Sequence, residues 1–315
     1  MRSRERLIYK STPHVQMAFR EAIHTRNIDE VQRLGHKDPA LLKALVPCDF
    51  QQGRVVPPLQ NAIYHQNMPM IRCLVQSLRD AGYNPNIVVR DQAATRVQTF
   101  RDRQGQLWLK PDTDFRRTTL LHLAARLHST NTIEYLATQP GADVDRTINH
   151  GETPLMMCSE NTPGTNNDAV NTVAMLLRCG ANPFMRNVKG ESVSDILSLR
   201  IAQYKHIHLE NPVTPLNECK ELLNSVMNMV STRAYDESPN GKRTLAILMG
   251  LHHRLGPASM LYDMNPDIVQ HNIIRPYGTV RPDPIADVEH HILRGYIVDA
   301  MRAIEARGVL DAIGM

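Results

Sequence analysis

Thr119-Leu120-Leu121-His122-Leu123-Ala124-Ala125 and Thr153-Pro154-Leu155-Met156-Met157-Cys158-Ser159 stand 34 residues apart and read as two copies of one pattern. Each opens a short helix, which is followed by an amphipathic second helix and a turn. The turn is Gly141-Ala142-Asp143-Val144 after the first copy and Gly180-Ala181-Asn182-Pro183 after the second. A unit of that length cannot bury its apolar face alone, so recurrence at a period near ~33 residues forces the units to stack on one another. The product is a quasi-one-dimensional array with an extended surface, for which binding is expected ahead of chemistry.

Each position in the pattern has a physical task. Thr caps the first helix and can bond the His side chain, and Pro at N1 loses nothing by lacking an N–H. The Leu and Ala pair packs on the neighbouring unit. Gly after the second helix takes the left-handed conformation that ends it, and Asp or Asn begins the turn to the next unit. T-P-L-H-x-A at this period resembles the ankyrin repeat. The resemblance covers roughly residues 15 to 230 and is specific across 114 to 192. It implies an all-α ankyrin-repeat solenoid of five helix–turn–helix units near 15–50, 55–86, 114–147, 148–186 and 187–230.

The third unit keeps Thr119 and His122, with Leu120 in place of the N1 proline; its second helix, roughly Asn131 to Thr138, is expected to bury Ile133, Tyr135 and Leu136. The fourth keeps Thr153-Pro154-Leu155 but puts Met156 in the His position. Its two helices are separated by a long polar loop, Glu160 to Asn167, and the second resumes at Asp168. The fifth starts at Asn187-Val188-Lys189-Gly190-Glu191-Ser192 and has its second helix from Asn217 to Met229. The two front units are weaker copies, carried by Phe19, Ala22 and Ile23 and then by Pro58-Leu59 and Ala62-Ile63.

Residues 87–113 form an insert that the repeat does not require. Thr95 to Arg101 and Gln106 to Lys110 flank a turn at Asp102-Arg103-Gln104-Gly105, which reads as a β-hairpin. The insert holds the only Trp, Trp108, and residues 90 to 117 carry seven basic residues against four Asp. Trp108 is either a contact hot spot or a lid over a gap in the stack. Polar, turn-rich residues make 231–242 a linker, and 243–315 a C-terminal helical domain or cap. The tail helices are expected at Arg243–His253, from Asn265 to about Pro276, and from Asp283-Pro284 onward with Val288, Ile292, Tyr296, Ala300 and Ile304 on one face. Met264-Asn265-Pro266-Asp267-Ile268-Val269 resembles the opening of an F-box, with Asn265 where that motif has Leu.

A net charge of +4, scattered along the chain, lacks the clustered basic face of a nucleic-acid binder. Hydrophobic residues make up 42% and aromatics 5%, which suits aliphatic helix contacts. Five cysteines (Cys48, Cys73, Cys158, Cys179, Cys219) without a C-x-x-C suggest reduced thiols, and hence a cytoplasm-like compartment, rather than a disulfide framework or zinc site. The N-terminal residues lead into no apolar segment of a signal peptide, and no run is long enough to span a bilayer. His206/His208, His252/His253 and His290/His291 are too closely spaced to share a helix face as metal ligands. No catalytic, metal or cofactor site is expected.

What the resemblance implies is a non-enzymatic module that binds a protein partner through its concave face. The family's contact positions, turn tips and late first-helix residues, fall here on Phe115, Arg116, Thr118, Arg126 and Leu127 in the third unit. In the fourth they are Asn149, His150, Glu152, Glu160 and Asn161, and in the fifth Val188, Lys189, Glu191, Leu199 and Arg200. Trp108 joins them if the insert makes contacts. Irregular repeats, inserts and an unrelated tail resemble the ankyrin proteins that intracellular bacteria deliver into host cells. The alternatives are an adaptor that recruits a ubiquitin ligase through the F-box-like segment, or a cryptic Cys–His enzyme.

Overall fold

A computed structural model of the chain describes residues 12–44, 46–48, 54–83, 97–101, 107–111, 119–148, 150–159, 168–206, 213–237, 285 and 288–307. Within them, helices come in consecutive pairs: α1 (Pro13–His24) with α2 (Ile28–Lys37), and α3 (Pro58–Tyr64) with α4 (Met68–Asp80). The pairs continue with α5 (Leu120–Arg126) and α6 (Thr130–Ala137), α7 (Pro154–Met157) and α8 (Asp168–Arg178), and α9 (Val193–His206) and α10 (Val213–Glu237). Second helices pack in the row α2, α4, α6, α8, α10, and first helices follow in the row α3, α5, α7, α9. That is a stack of five units with one continuous core along it.

The second helices begin through a repeated device. Asn27 Oδ1 accepts the Glu30 N–H and Asn67 Oδ1 accepts the Met70 N–H, each at 3.2 Å. This satisfies donors that helix ends otherwise leave orphaned. Just before these caps, and before Ser129, the chain turns through left-handed residues, Arg26, Gln66 and His128. Apolar spacing then buries one face: Val31 and Leu34 in α2, Ile71, Leu74 and Leu78 in α4, Ile133 and Leu136 in α6, Val173 and Leu177 in α8. Tyr135, expected in the core, is only half buried, its ring lying 5.5 Å from the Arg72 guanidinium.

Two features between the first units carried no sequence signal that was read above. A 3-10 turn, Pro39–Lys43, follows α2, and β1 (Val46–Cys48) pairs antiparallel with β2 (Arg54–Val56). Farther on, β3 (Val97–Arg101) and β4 (Leu107–Pro111) pair antiparallel with Phe100 opposite Trp108.

The end of the stack departs most from expectation. A linker was expected from 231, but α10 runs unbroken to Glu237, burying Val230 and Ala234, so Ser231–Glu237 belong to the fifth unit. It also starts earlier than Asn217, at Val213. A last helix, α11 (His290–Ala306), lies against α8 and α10, on the second-helix side of the stack. Its buried face is Leu293, Tyr296, Ile297, Ala300, Met301 and Ile304, in the same core cluster as the repeats. Ile292, expected on that face, is 39% exposed, one position off the stripe. Full burial of each such aliphatic side chain contributes about 1.5–3 kcal/mol.

Polar contacts fix where α11 sits. Arg178 pairs with Glu305 at 2.5 Å and Arg233 with Asp299 at 2.8 Å. Tyr296 donates to Glu237, and Arg294 Nη2 donates to the Cys179 carbonyl at 2.8 Å. His290 Nε2 lies 3.1 Å from Asp145 Oδ2. Exposed ion pairs contribute little energy, so these contacts set orientation while the apolar stripe supplies the stability. The tail helices expected at 243–253 and 265–276, and the F-box-like segment, lie outside the described residues. No helix among the described residues is long and apolar enough to cross a membrane.

Candidate functional site

The motif residues build the scaffold of the site. Thr119 caps α5, its Oγ1 accepting the His122 N–H at 3.4 Å and lying 2.7 Å from His122 Nδ1. His122 Nε2 is 3.0 Å from the carbonyl of Glu152 in the next unit's tip, so one imidazole ties two repeats together. Burial drives the His122 pKa down to about 4, because a charged ring there would be stripped of water.

The fourth unit shows what the motif loses without its histidine. Thr153 occupies the cap of α7 and is buried, yet its Oγ1 has no hydrogen-bond partner, since Met156 stands where His122 stands in α5. An unsatisfied buried hydroxyl is a cost that an apolar isostere removes. Thr153→Val is therefore expected to be neutral or slightly stabilising, whereas Thr119→Val loses about 1–2 kcal/mol of cap and histidine bonding. Urea unfolding of both variants checks this; equal losses would show that the Thr153 hydroxyl is satisfied after all.

The tips of the fourth and fifth units are built alike. Ile148 N–H donates to the Glu152 carbonyl at 3.0 Å, and Asn187 N–H to the Glu191 carbonyl at 2.9 Å. Gly151 and Gly190 turn each tip at φ +73° and +78°. Val188 N–H donates to the His150 carbonyl at 2.9 Å, linking the tips; a Cβ on Gly151 would meet that Val188 nitrogen at 3.0 Å. Asn187 Oδ1 also accepts the N–H groups of Lys189 and Glu191.

Against this geometry the expected contact residues divide. His150 and Lys189 are exposed at the tips. Glu152 and Arg126 are half buried, and the carbonyl of Glu152 is engaged by His122. Glu191 is half buried, and its carboxylate accepts from Asn187 Nδ2 at 2.9 Å within its own tip. Phe115, Arg116, Thr118, Asn149, Glu160 and Asn161 lie outside the described residues, and Trp108 is placed by its backbone on β4. Val188, 71% exposed at the fifth tip, and Leu199, 51% exposed on α9, stand out as large apolar side chains in water. The tip positions of the motif flagged the first, and the late first-helix positions the second.

The thiols of Cys73, Cys158, Cys179 and Cys219 are poor nucleophiles. Burial pushes Cys158 well above its usual value and Cys219 up to about 12, and raises Cys73 and Cys179 as well. A catalytic thiol needs the opposite shift. Cys158 Sγ points at the Pro154 carbonyl of its own helix, 3.6 Å away. Among the described residues no group of three or more His, Cys, Asp or Glu is placed to hold a metal ion.

Residues 98–187 match the family model for ankyrin repeats, in three copies. The match begins inside the segment 87–113 that the sequence suggested was an insert. No curated protein matches the chain.

Proposed function

Because the chain is an ankyrin-repeat protein, and ankyrin repeats are generally protein–protein interaction modules, we propose that it binds a protein partner along the tips and first helices of its later units. The supporting observation is the pair Val188 and Leu199, exposed on the fifth unit beside Lys189, while α11 occupies the second-helix side of the same stack. Large apolar groups left in water beside a basic tip are what a partner's surface covers, aromatic or aliphatic anchors carrying most of the binding energy. Binding rather than bond-making chemistry is what a site built of repeat tips suits.

The experiment is partner capture with the full chain, followed by affinity measurement for Val188→Glu and Leu199→Glu. Both residues are solvent-exposed, so each variant is expected to fold normally and to lose at least ~10-fold in affinity, or about 1.4 kcal/mol. Retention of full affinity by both would remove the fifth unit from the interface. Capture of the partner by residues 238–315 alone would overturn the reading entirely.

A further inference from the structure

The junction of the first two units holds a pocket of about 160 Å³ that lies far along the chain from the tips just described. It forms where α1 and α3 end, between Ile23, His24 and Arg26 on one side and Asn61, His65 and Met70 on the other. No acidic residue lines it. Arg26 and His65 have no carboxylate partner among the described residues. Asn61 is only 6% exposed, and its Oδ1 is buried with no hydrogen-bond partner. A buried amide left with unused bonding capacity carries a desolvation cost in the free protein that a ligand's polar group would remove.

Basic groups at the mouth, an unsatisfied amide and apolar walls together define the ligand. A simple inorganic anion would use Arg26 but neither the amide nor the walls. A peptide with an acidic side chain uses all three. We propose that the pocket seats an acidic residue of an extended peptide on the partner protein. Its carboxylate would face Arg26 and His65, its methylenes Ile23 and Met70, and a peptide group Asn61. Arginine suits this role because its planar fork matches a carboxylate. The proposal extends the partner-binding reading to the front units, but its test requires no partner.

The test is an NMR titration of the full chain, following the His24 and His65 ring signals and the Asn61 side-chain amide. The probes are N-acetyl-glutamate N-methylamide, its glutamine counterpart, and sodium acetate. The glutamate probe is expected to saturate with a Kd on the order of 1 mM, as one small anchoring residue should. The glutamine probe and acetate should each bind at least ~10-fold more weakly, the first lacking the charge and the second lacking the peptide group. Arg26 sits at φ 58°, so Arg26→Asn tolerates the left-handed backbone while removing the guanidinium. That variant should lose at least ~10-fold in affinity for glutamate with the His122 signals unmoved. Val188→Glu with Leu199→Glu should leave the titration unchanged, which separates this pocket from the fifth-unit surface. Absence of saturation, an equal response to the glutamine probe, acetate binding as tightly as glutamate, or unimpaired binding by Arg26→Asn would each overturn the proposal.

Discussion

Acidification from pH 7 to 4.5 is expected to remove about 2 kcal/mol of folding stability through His122 alone. The folded ring titrates at about 4 and the unfolded one near the ordinary 6.5. Between those values the unfolded chain takes up a proton that the folded chain refuses. The contribution is therefore fully present above the unfolded pKa and is lost as pH falls through 6.5 toward 4, at up to about 1.4 kcal/mol per pH unit. Other groups also titrate in that range, so the measurement is a comparison. Urea midpoints of the native protein and of His122→Gln, taken at pH 7, 5.5 and 4.5, isolate the histidine. The variant should be less stable at pH 7, having lost the bridge to Glu152, and should show a shallower acid slope. Parallel slopes would mean that the ring is hydrated enough to protonate in place. The same result bears on how the stack coheres, since the group at stake joins the third unit to the fourth.

The second large effect concerns Gly180, which ends α8 at φ +82°. A methyl group there would be strained by the backbone alone, at about 1–2 kcal/mol. It would also clash with Cγ of Arg294, the side chain that bonds the Cys179 carbonyl from α11. Gly180→Ala is therefore expected to cost about 2–3 kcal/mol, strain plus a displaced α11 contact. Gly190 makes the natural control, with φ +78° and nothing within 4 Å of the added carbon. Gly190→Ala should cost about 1–2 kcal/mol, from backbone strain only. Adding Arg294→Ala to each variant completes the comparison. The arginine deletion should recover part of the loss at Gly180 and none at Gly190, since only the first pair is in contact. Strict additivity in both backgrounds would show that α11 does not press on the α8 terminus.

Much of the scaffold was legible because its signals are local. Thr119 and His122 lie three residues apart on one turn, and Gly141, Gly180 and Gly190 announce their left-handed turns by being glycine. The end of α10 was not legible. Ser231-Thr232-Arg233 reads as loop by composition, but Val230 and Ala234 bury against α11 and Arg233 reaches Asp299, 66 residues on. Tertiary packing overrides a weak local preference there. The role of His290 was hidden for the same reason. A pair of neighbouring histidines looks solvated until Asp145 is found opposite one of them. The bond from Asn187 to the Glu191 carboxylate was equally hidden, because the motif position of Glu191 says nothing of a partner four residues earlier. The pocket at Asn61 could not be foreseen, because a polar residue inside a short helix signals nothing until its burial is known.

The placement of α11 also has a kinetic consequence. Helix pairs and neighbouring units form from contacts close in sequence, which makes repeat arrays quick to assemble from any starting point. The bonds that seat α11 join residues 115, 127 and 145 positions apart. Their formation brings together residues distant in sequence on a surface that α8 and α10 must already have made. Docking of α11 is thus expected to follow formation of α8 and α10. Until it occurs, the second-helix side of the two final units stands open, an apolar strip available to any other chain that reaches it first.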